Sequence, residues 1–117
     1  MTEAEPDDSL VTVSIACSDE AEARRIAGVL VERRLVACAQ IWPIDSSYRW
    51  KGEIESAREF LLSAKTTMAA LPALGALVLA EHSYEVPEIV AQPIAWTTTA
   101  YADWIRQNVR PADRSDP

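Results

Sequence analysis

The chain has 117 residues, of which 49% are hydrophobic and 25% are charged, as in an ordinary single globular domain. Lys and Arg number 11 and Asp and Glu number 18, which gives a formal net charge of −7. This balance, with no basic stripe along the chain, argues against a nucleic-acid-binding surface. Residues 1–9 and 111–117 hold much of the negative charge, so we predict disordered tails on a domain that covers residues 10–110.

The cysteine content and the apolar runs predict where the protein resides. Cys17 and Cys38 are too few for a disulfide framework. The N-terminus lacks the basic region and apolar run of a secretory signal peptide. The longest uncharged apolar stretch, residues 68–80, is shorter than the ~20 residues that cross a bilayer. We therefore expect a cytoplasmic protein that makes no membrane contact.

The first predicted elements are a strand and a helix. Val and Ile alternate with Thr and Ser over residues 10–16, which is the pattern of a strand with one buried face. Asp19, followed three residues later by Glu22, has the spacing of a capped helix N-terminus. The apolar periodicity that follows predicts a helix ending near Arg34, with Glu22 on the side that faces water.

A long β-hairpin is predicted next. Residues 36–44 have the composition of a second strand, and Pro43 indicates a sheet edge or a bulge. The chain then turns at residues 51–53 and returns as a third strand. Arms of about 12 residues at ~3.3 Å per residue reach ~40 Å, farther than a core with a radius of gyration near ~13 Å can cover. The tip therefore projects, and Tyr48 and Trp50 near it need a partner surface.

The residues after the hairpin predict a second helix, a fourth strand and a last helix. Thr66 or Thr67 can cap the second helix, which is apolar nearly all round and is therefore predicted to be buried on two sides. Its core face is predicted to consist of Leu71, Leu74, Leu77 and Val78. Prolines near both ends of the strand at residues 86–95 indicate a sheet edge, and Thr99 can cap the last helix.

The predicted order β-α-β-β-α-β, followed by a C-terminal helix, is that of an α+β ferredoxin-like fold, the split βαβ sandwich with a long β2–β3 hairpin. Right-handed crossovers place both main helices on one face of the sheet. The other face would be bare in a monomer. We therefore predict that the protein associates with copies of itself.

Cys38 and His82 are the candidates for a metal site. Cys38, like Cys17, has the alternative of being a small buried strand residue. His82 stands at the end of the second helix, where the helix dipole favours a cation and would by itself explain a histidine. As a metal ligand it would be joined by a nearby carboxylate such as Glu85. A borderline cation such as Cu²⁺ suits imidazole and thiolate together.

A second possibility is a small anionic ligand. Lys65 would anchor it in a cleft, although a solvated strand face would also explain this lysine. The chain has no glycine-rich phosphate loop, no Ser-His-Asp order and no zinc-protease motif. We therefore predict no enzymatic activity and no organic cofactor.

Several segments carry a resemblance to a known family: Ala37-Cys38, Tyr48-x-Trp50-x-Gly52-x-Ile54, Glu59, Lys65-Thr66, His82-x-Tyr84-Glu85-Val86-Pro87-Glu88 and Trp104-Ile105. In this order they resemble the CutA family, the divalent-cation tolerance proteins. The resemblance covers roughly residues 10–110. It implies a homotrimer of ferredoxin-like subunits, similar in architecture to the PII nitrogen-signalling proteins.

The same resemblance implies the sites. Hairpins exchanged between subunits would place Tyr48 and Trp50 at the trimer interface. Clefts between subunits would gather Cys38, Trp50, Glu59, Lys65, Tyr84 and Glu88. The family's link to copper and divalent-cation tolerance implies a metal site at His82, Glu85 and Cys38. We therefore predict a non-enzymatic trimer that binds or responds to Cu²⁺ or another divalent cation, and the alternative is a PII-like sensor of a small anionic ligand.

The chain also departs from the family pattern. Ser83 stands where the family commonly has proline, and Glu81 stands where some copper-binding members have a second histidine. Those members place a cysteine near Ile15, whereas Cys17 lies two residues farther on. It faces the same side of the strand but is displaced by ~7 Å.

Overall fold

The computed structural model describes residues 7–111, so residues 1–6 and 112–117 of the predicted tails lie outside it. In chain order the elements are β1 (Leu10–Cys17), α1 (Glu20–Glu32), β2 (Cys38–Trp50), β3 (Glu53–Thr67), a 3₁₀ turn (Met68–Ala70), α2 (Leu71–Glu81), β4 (Ile89–Pro93) and α3 (Thr99–Asn108). The predicted element order is confirmed. Inside the predicted N-terminal tail, the carbonyls of Asp7 and Ser9 accept hydrogen bonds from Ala69 and Met68, at 2.8 and 2.9 Å.

The four strands form one antiparallel sheet in the order β2-β3-β1-β4. This is the strand order of the predicted ferredoxin-like fold. β2 and β4 are the edge strands, as the prolines of both strands predicted. None of the helices in the described part of the chain is long and apolar enough to cross a membrane.

The two main helices cover one face of the sheet. Alternate residues of β1, including Val13 and Ile15, form a single buried cluster with Ile26 of α1 and Leu74 of α2. The opposite face, which we call the open face, carries Thr12 and the other intervening residues of each strand. α3 packs against one end of the open face, where Ile105, Val109 and Leu10 form a smaller cluster.

The hairpin formed by β2 and β3 extends beyond the rest of the sheet. Pairing between β1 and β3 stops at Cys17 and Phe60, whereas β2 and β3 stay paired as far as Trp50 and Glu53. The two-residue turn at Lys51 and Gly52 has φ angles of 51° and 83°, a left-handed backbone that favours glycine. The molecule measures 52 × 31 × 24 Å, which confirms that the tip projects.

The helix ends differ from prediction in three places. The Asp19 carboxylate accepts the Glu22 N–H at 2.8 Å, as predicted, but the Glu22 side chain is buried and does not face water. Neither threonine predicted to cap the second helix does so. The Thr66 hydroxyl donates to the Leu35 carbonyl at 2.6 Å, and Thr67 precedes the 3₁₀ turn without a side-chain cap. α2 begins after Ala70 with a proline in its first turn. The cap of α3 is Thr98, whose hydroxyl accepts the Tyr101 N–H at 3.3 Å, and the prediction of Thr99 is wrong by one residue.

Among residues 7–111, only one side of α2 is covered, whereas burial on two sides was predicted. Leu74 and Val78 are buried against the sheet, but Leu79 on the outer side is 62% exposed. β4 is also shorter than the predicted strand, because the chain between α2 and Ile89 runs as bends rather than as extended pairing.

Candidate metal and ligand site

Three potential metal ligands meet where β1 ends. Cys17 is the last residue of β1, Glu22 lies in the first turn of α1, and His82 directly follows α2. Their ligand atoms all lie within 4.8 Å of one another, and all three residues are buried. We call them the buried ligand cluster. Within residues 7–111 they are the one group of three or more His, Cys, Asp or Glu side chains close enough to share a cation.

The Glu22 carboxylate links two distant segments of the chain. One oxygen accepts the N–H and the hydroxyl of Ser18, at 2.9 and 3.1 Å, and the other accepts the Ser83 N–H at 2.7 Å. Burial on its own would raise the pKa of Glu22. The hydrogen bonds from Ser18 and Ser83, together with His82, outweigh burial and lower the pKa to about 2. Glu22 is therefore ionised at neutral pH although it is only 6% exposed.

The His82 imidazole is held by its two ring nitrogens. The Tyr84 N–H donates to Nδ1 at 3.0 Å, so Nδ1 is an acceptor. Nε2 therefore carries the proton of the neutral ring and donates it to the Ala16 carbonyl at 2.8 Å. Nδ1 also lies 3.9 Å from a Glu22 carboxylate oxygen.

The Cys17 thiol is protonated at neutral pH. Burial, followed by the negative charges of Glu22 and other nearby acids, raises the pKa of the thiol to about 12. A thiol in this state is a poor nucleophile, because the thiolate is the reactive form. It becomes a strong ligand for a soft cation only when it loses its proton.

The donor set of the buried ligand cluster fits a divalent cation. A thiolate, a carboxylate and a neutral imidazole carry a total charge of −2, so a divalent cation would leave the buried group neutral. Sulfur and imidazole nitrogen favour copper or zinc over magnesium or calcium. Opposing this, the thiol must release its proton and Nδ1 must give up the Tyr84 N–H.

The predicted metal set of His82, Glu85 and Cys38 is not assembled within one subunit. Glu85 is exposed and lies 4.0 Å from the Lys51 ammonium group at the hairpin tip. The Cys38 sulfur lies 3.7 Å from the Tyr101 hydroxyl of α3. Only His82 of the predicted set belongs to the buried ligand cluster.

The residues predicted to line a cleft form two separate pairs on the open face. Cys38 and Lys65 are direct neighbours on β2 and β3, and the Lys65 ammonium donates to the Gln40 side chain at 3.1 Å. Farther along β3, the Tyr84 hydroxyl donates to the Glu59 carboxylate at 2.7 Å. Burial and this carboxylate raise the pKa of Tyr84.

The remaining two predicted cleft residues stand apart from these pairs. Trp50 lies at the hairpin tip, opposite Glu53, and is 39% exposed. Glu88 is exposed, immediately before β4. A cleft that includes all six residues therefore requires more than one subunit.

Two members of the buried ligand cluster were predicted to have other roles. Glu22 was expected at a helix start facing water, and Cys17 was expected to be a small buried strand residue. The Asp19-x-x-Glu22 spacing was a usable signal, because it correctly located the helix start. It did not reveal that the Glu22 side chain reaches Ser83, which is 61 residues away in the chain.

Comparison with known proteins gives one family. The family model described as "CutA1 divalent ion tolerance protein" matches residues 11–108. The "Divalent-cation tolerance protein CutA" of Thermus thermophilus is 50% identical over 97 residues, which are 82% of this chain and 94% of that protein. The human "Protein CutA" is 40% identical over 100 residues, which are 85% of this chain but only 56% of the human protein.

Solved structures give the same result. The CutA1 structure from Thermus thermophilus superposes with a TM-score of 0.84 at 48% identity, over 86% of this chain and 99% of that one. CutA1 from Oryza sativa gives 0.85 at 33% identity, over 90% and 97% of the two chains. A protein titled "Periplasmic divalent cation tolerance protein CutA" from Archaeoglobus fulgidus gives 0.84 at 38% identity, over 86% and 99%.

Proposed function

Because the chain belongs to the CutA1 divalent ion tolerance protein family, we propose that it is a non-enzymatic protein that binds a divalent cation at the buried ligand cluster. The observation that carries the proposal is that the ligand atoms of Cys17, Glu22 and His82 lie within 4.8 Å of one another. Copper and zinc suit this combination of sulfur, nitrogen and oxygen donors. The set of His82, Glu85 and Cys38 stays a rival proposal that needs a second subunit.

Calorimetry with Cu²⁺ and with Zn²⁺ tests this proposal, and Zn²⁺ avoids oxidation of the thiols. We expect His82→Ala and Cys17→Ser to lose most of the affinity, because each removes one ligand. Cys38→Ser is the matched control, since it removes the other cysteine and leaves the buried ligand cluster intact. Equal affinity in the wild type and His82→Ala would reject the site, and a loss in Cys38→Ser would favour the rival set.

The cation affinity should depend on pH. The Cys17 thiol, with its pKa raised to about 12, releases one proton when a cation binds. The apparent affinity should therefore rise by about tenfold for each unit of pH between 7 and 9, provided that Cys17 is a ligand. Titrations in buffers of different ionisation enthalpy would count the released proton. A flat pH profile would remove Cys17 from the site.

We propose a homotrimer with Tyr48 and Trp50 at the interface between subunits. In support, large aromatic side chains of the open face and the hairpin are incompletely covered, and Trp42 is 44% exposed. The hairpin tip also extends beyond the core of its own subunit. Sedimentation should give a trimer at micromolar concentration. A stable monomer would reject this proposal.

The non-enzymatic proposal is supported by the sequence, which has no glycine-rich phosphate loop, no Ser-His-Asp order and no zinc-protease motif. Turnover of any compound in a broad metabolite screen, abolished by Glu59→Gln or Lys65→Ala, would overturn it.

A second candidate function is a PII-like sensor that holds a small anionic ligand between subunits. Lys65 favours it, because its row of the open face carries Cys38, Thr12 and Gln92 and no acid. Binding of an anion should then be lost in Lys65→Ala and kept in Lys51→Ala, the chain's other lysine. Chelators should have no effect on this binding.

We also propose a cytoplasmic location, supported by two cysteines that remain free thiols. Relatives carry other locations in their names, such as the chloroplast protein of Arabidopsis thaliana. Cell fractionation that finds the protein outside the cytoplasm would reject this location.

A further inference from the structure

The segment from His82 to Tyr84 connects the buried ligand cluster to the open face. At one end, the Tyr84 N–H donates to His82 Nδ1 at 3.0 Å. At the other end, the Tyr84 hydroxyl donates to the Glu59 carboxylate at 2.7 Å. Glu59 is 5% exposed and is the first residue of β3 beyond the end of the pairing with β1. The backbone and the side chain of one tyrosine therefore hold the two sites together.

The two imidazole nitrogens of His82 have different surroundings. Nε2 carries the ring proton and points to the Ala16 carbonyl of β1. Nδ1 lies 3.9 Å from the Glu22 carboxylate and is the nitrogen with a lone pair. A cation shared with Glu22 would therefore take Nδ1, and it would compete directly with the Tyr84 N–H for that lone pair.

We propose that cation binding at the buried ligand cluster releases Tyr84 and so changes the contact between Tyr84 and Glu59 on the open face. The inference rests on the proposed cation function, and it adds that the Tyr84–Glu59 contact responds when the cation binds. The released Tyr84 N–H is partly buried and needs another acceptor, in the protein or in water, since an unpaired N–H is costly. The neighbouring Ser83 N–H is also bonded to Glu22, one of the proposed ligands, so residues 83 and 84 move together.

The output lies where the subunits are proposed to meet. Glu59 is on the open face, on the same side of β3 as Lys65, and its carboxylate accepts the Tyr84 hydroxyl. When Tyr84 moves, this carboxylate loses a hydrogen-bond donor and gains access to water or to a neighbouring chain. Binding of a buried cation would thereby change the environment of Glu59 on the open face, although the cation itself does not touch that face.

The coupling is reciprocal, which gives a quantitative test. If cation binding weakens the bond between Tyr84 and Glu59, then removing that bond beforehand lowers the cost of binding. Tyr84→Phe removes the hydroxyl and keeps the backbone N–H, so it should bind Zn²⁺ several-fold to about tenfold more tightly than the wild type. Tyr101→Phe is the matched control, because it deletes a tyrosine hydroxyl that contacts Cys38 and not the buried ligand cluster, and it should leave the Zn²⁺ affinity unchanged.

The experiment combines Zn²⁺ calorimetry with nuclear magnetic resonance of the full-length, ¹⁵N-labelled chain. We expect Zn²⁺ to shift the Tyr84 amide resonance strongly, to shift the His82 Nδ1 resonance, and to have neither effect in Cys17→Ser. Calorimetric binding with an unmoved Tyr84 amide, or with equal or weaker binding by Tyr84→Phe, would overturn the coupling and leave the cation function intact. Absence of Zn²⁺ binding by the wild type would overturn both.

Discussion

The two faces of the sheet are built for different surroundings. On the helix-covered face, Val13, Ile15 and Leu62 have no exposed surface and interlock with α1 and α2. On the open face, β1 carries Thr12 and Ser14, and β2 carries Trp42 toward the hairpin, where its side chain is almost half exposed. The first face is covered by α1 and α2 of the same subunit. Within residues 7–111, the open face is covered only at one end, by α3.

Folding stability and function therefore depend on different faces of the sheet. The helix-covered face is buried within the subunit, so substitutions on it should change folding stability and not assembly. The open face exposes aromatic side chains near the two predicted cleft pairs, so its residues should report on assembly and ligands. The buried ligand cluster lies at the boundary, because Cys17 belongs to the helix-covered face and Tyr84 reaches Glu59 on the open face.

The largest expected effect that separates the two faces comes from Trp50→Ala. If Trp50 anchors a neighbouring subunit, its truncation should cost ~3–5 kcal/mol per subunit, as for other buried aromatics. The thermal midpoint should fall sharply, and the trimer should dissociate at higher protein concentrations than the wild type in sedimentation. A variant that stays trimeric with an unchanged midpoint at every concentration would show that Trp50 touches only its own hairpin.

Two further substitutions serve as controls for Trp50→Ala. Leu62→Ala, on the helix-covered face, should cost ~2–5 kcal/mol of folding stability and leave the association of folded subunits unchanged. Trp96→Ala removes a tryptophan that is 80% exposed, and it should cost less than ~1 kcal/mol. Equal effects of Trp50→Ala and Trp96→Ala would remove the distinction between an interface anchor and a surface tryptophan.

A smaller effect is expected from acid at the boundary between the faces. The pKa of Glu22 is lowered in the folded state to about 2 from an ordinary value of 4.5, so its contribution to stability is present above pH 4.5 and is lost as the pH falls toward 2. The shift corresponds to about 3 kcal/mol at neutral pH. In urea titrations, the stability difference between the wild type and Glu22→Gln should shrink from pH 7 to pH 2.5.

Glu20→Gln is the matched control for this titration. Glu20 is an exposed acid in the same helical turn and pairs with Arg24, at 2.7 Å. An exposed pair of this kind is worth little, so its replacement should change stability by less than ~1 kcal/mol at any pH. A constant difference between Glu22→Gln and the wild type across the pH range would contradict the lowered pKa.

Local patterns predicted the fold well because each one depends on neighbouring residues. The alternation in β1, the spacing of Asp19 and Glu22, and the turn at Lys51 and Gly52 are all found in the structure. The strand order then followed from general rules on connections between strands. The position of the α3 cap was missed by one residue, because residues 97–99 are all threonine and any of them satisfies the sequence rule.

The candidate site was less predictable because it depends on contacts between distant segments. Glu22 is buried because Ser18 and Ser83 both donate to it, and helical periodicity alone placed it in water. Cys17 joins His82 only because β1 and α2 end at the same side of the molecule. The predicted partners Glu85 and Cys38 lie elsewhere in the subunit: Glu85 is near Lys51 and Cys38 is near Tyr101.

The smallest expected effect tests whether α3 shields its end of the open face. Thr98→Ala should cost about 1 kcal/mol, because the Thr98 hydroxyl caps the helix by accepting the Tyr101 N–H. Thr99→Ala, one residue farther on, removes no cap and should cost less than ~0.5 kcal/mol.

Loosening the first turn of α3 should also withdraw the Tyr101 hydroxyl from the Cys38 sulfur, 3.7 Å away. Cys38 should therefore react faster with a thiol reagent in Thr98→Ala than in Thr99→Ala, while buried Cys17 stays unreactive in both. Equal Cys38 reactivity in the two variants would mean that another part of the molecule, and not α3, shields this end of the open face.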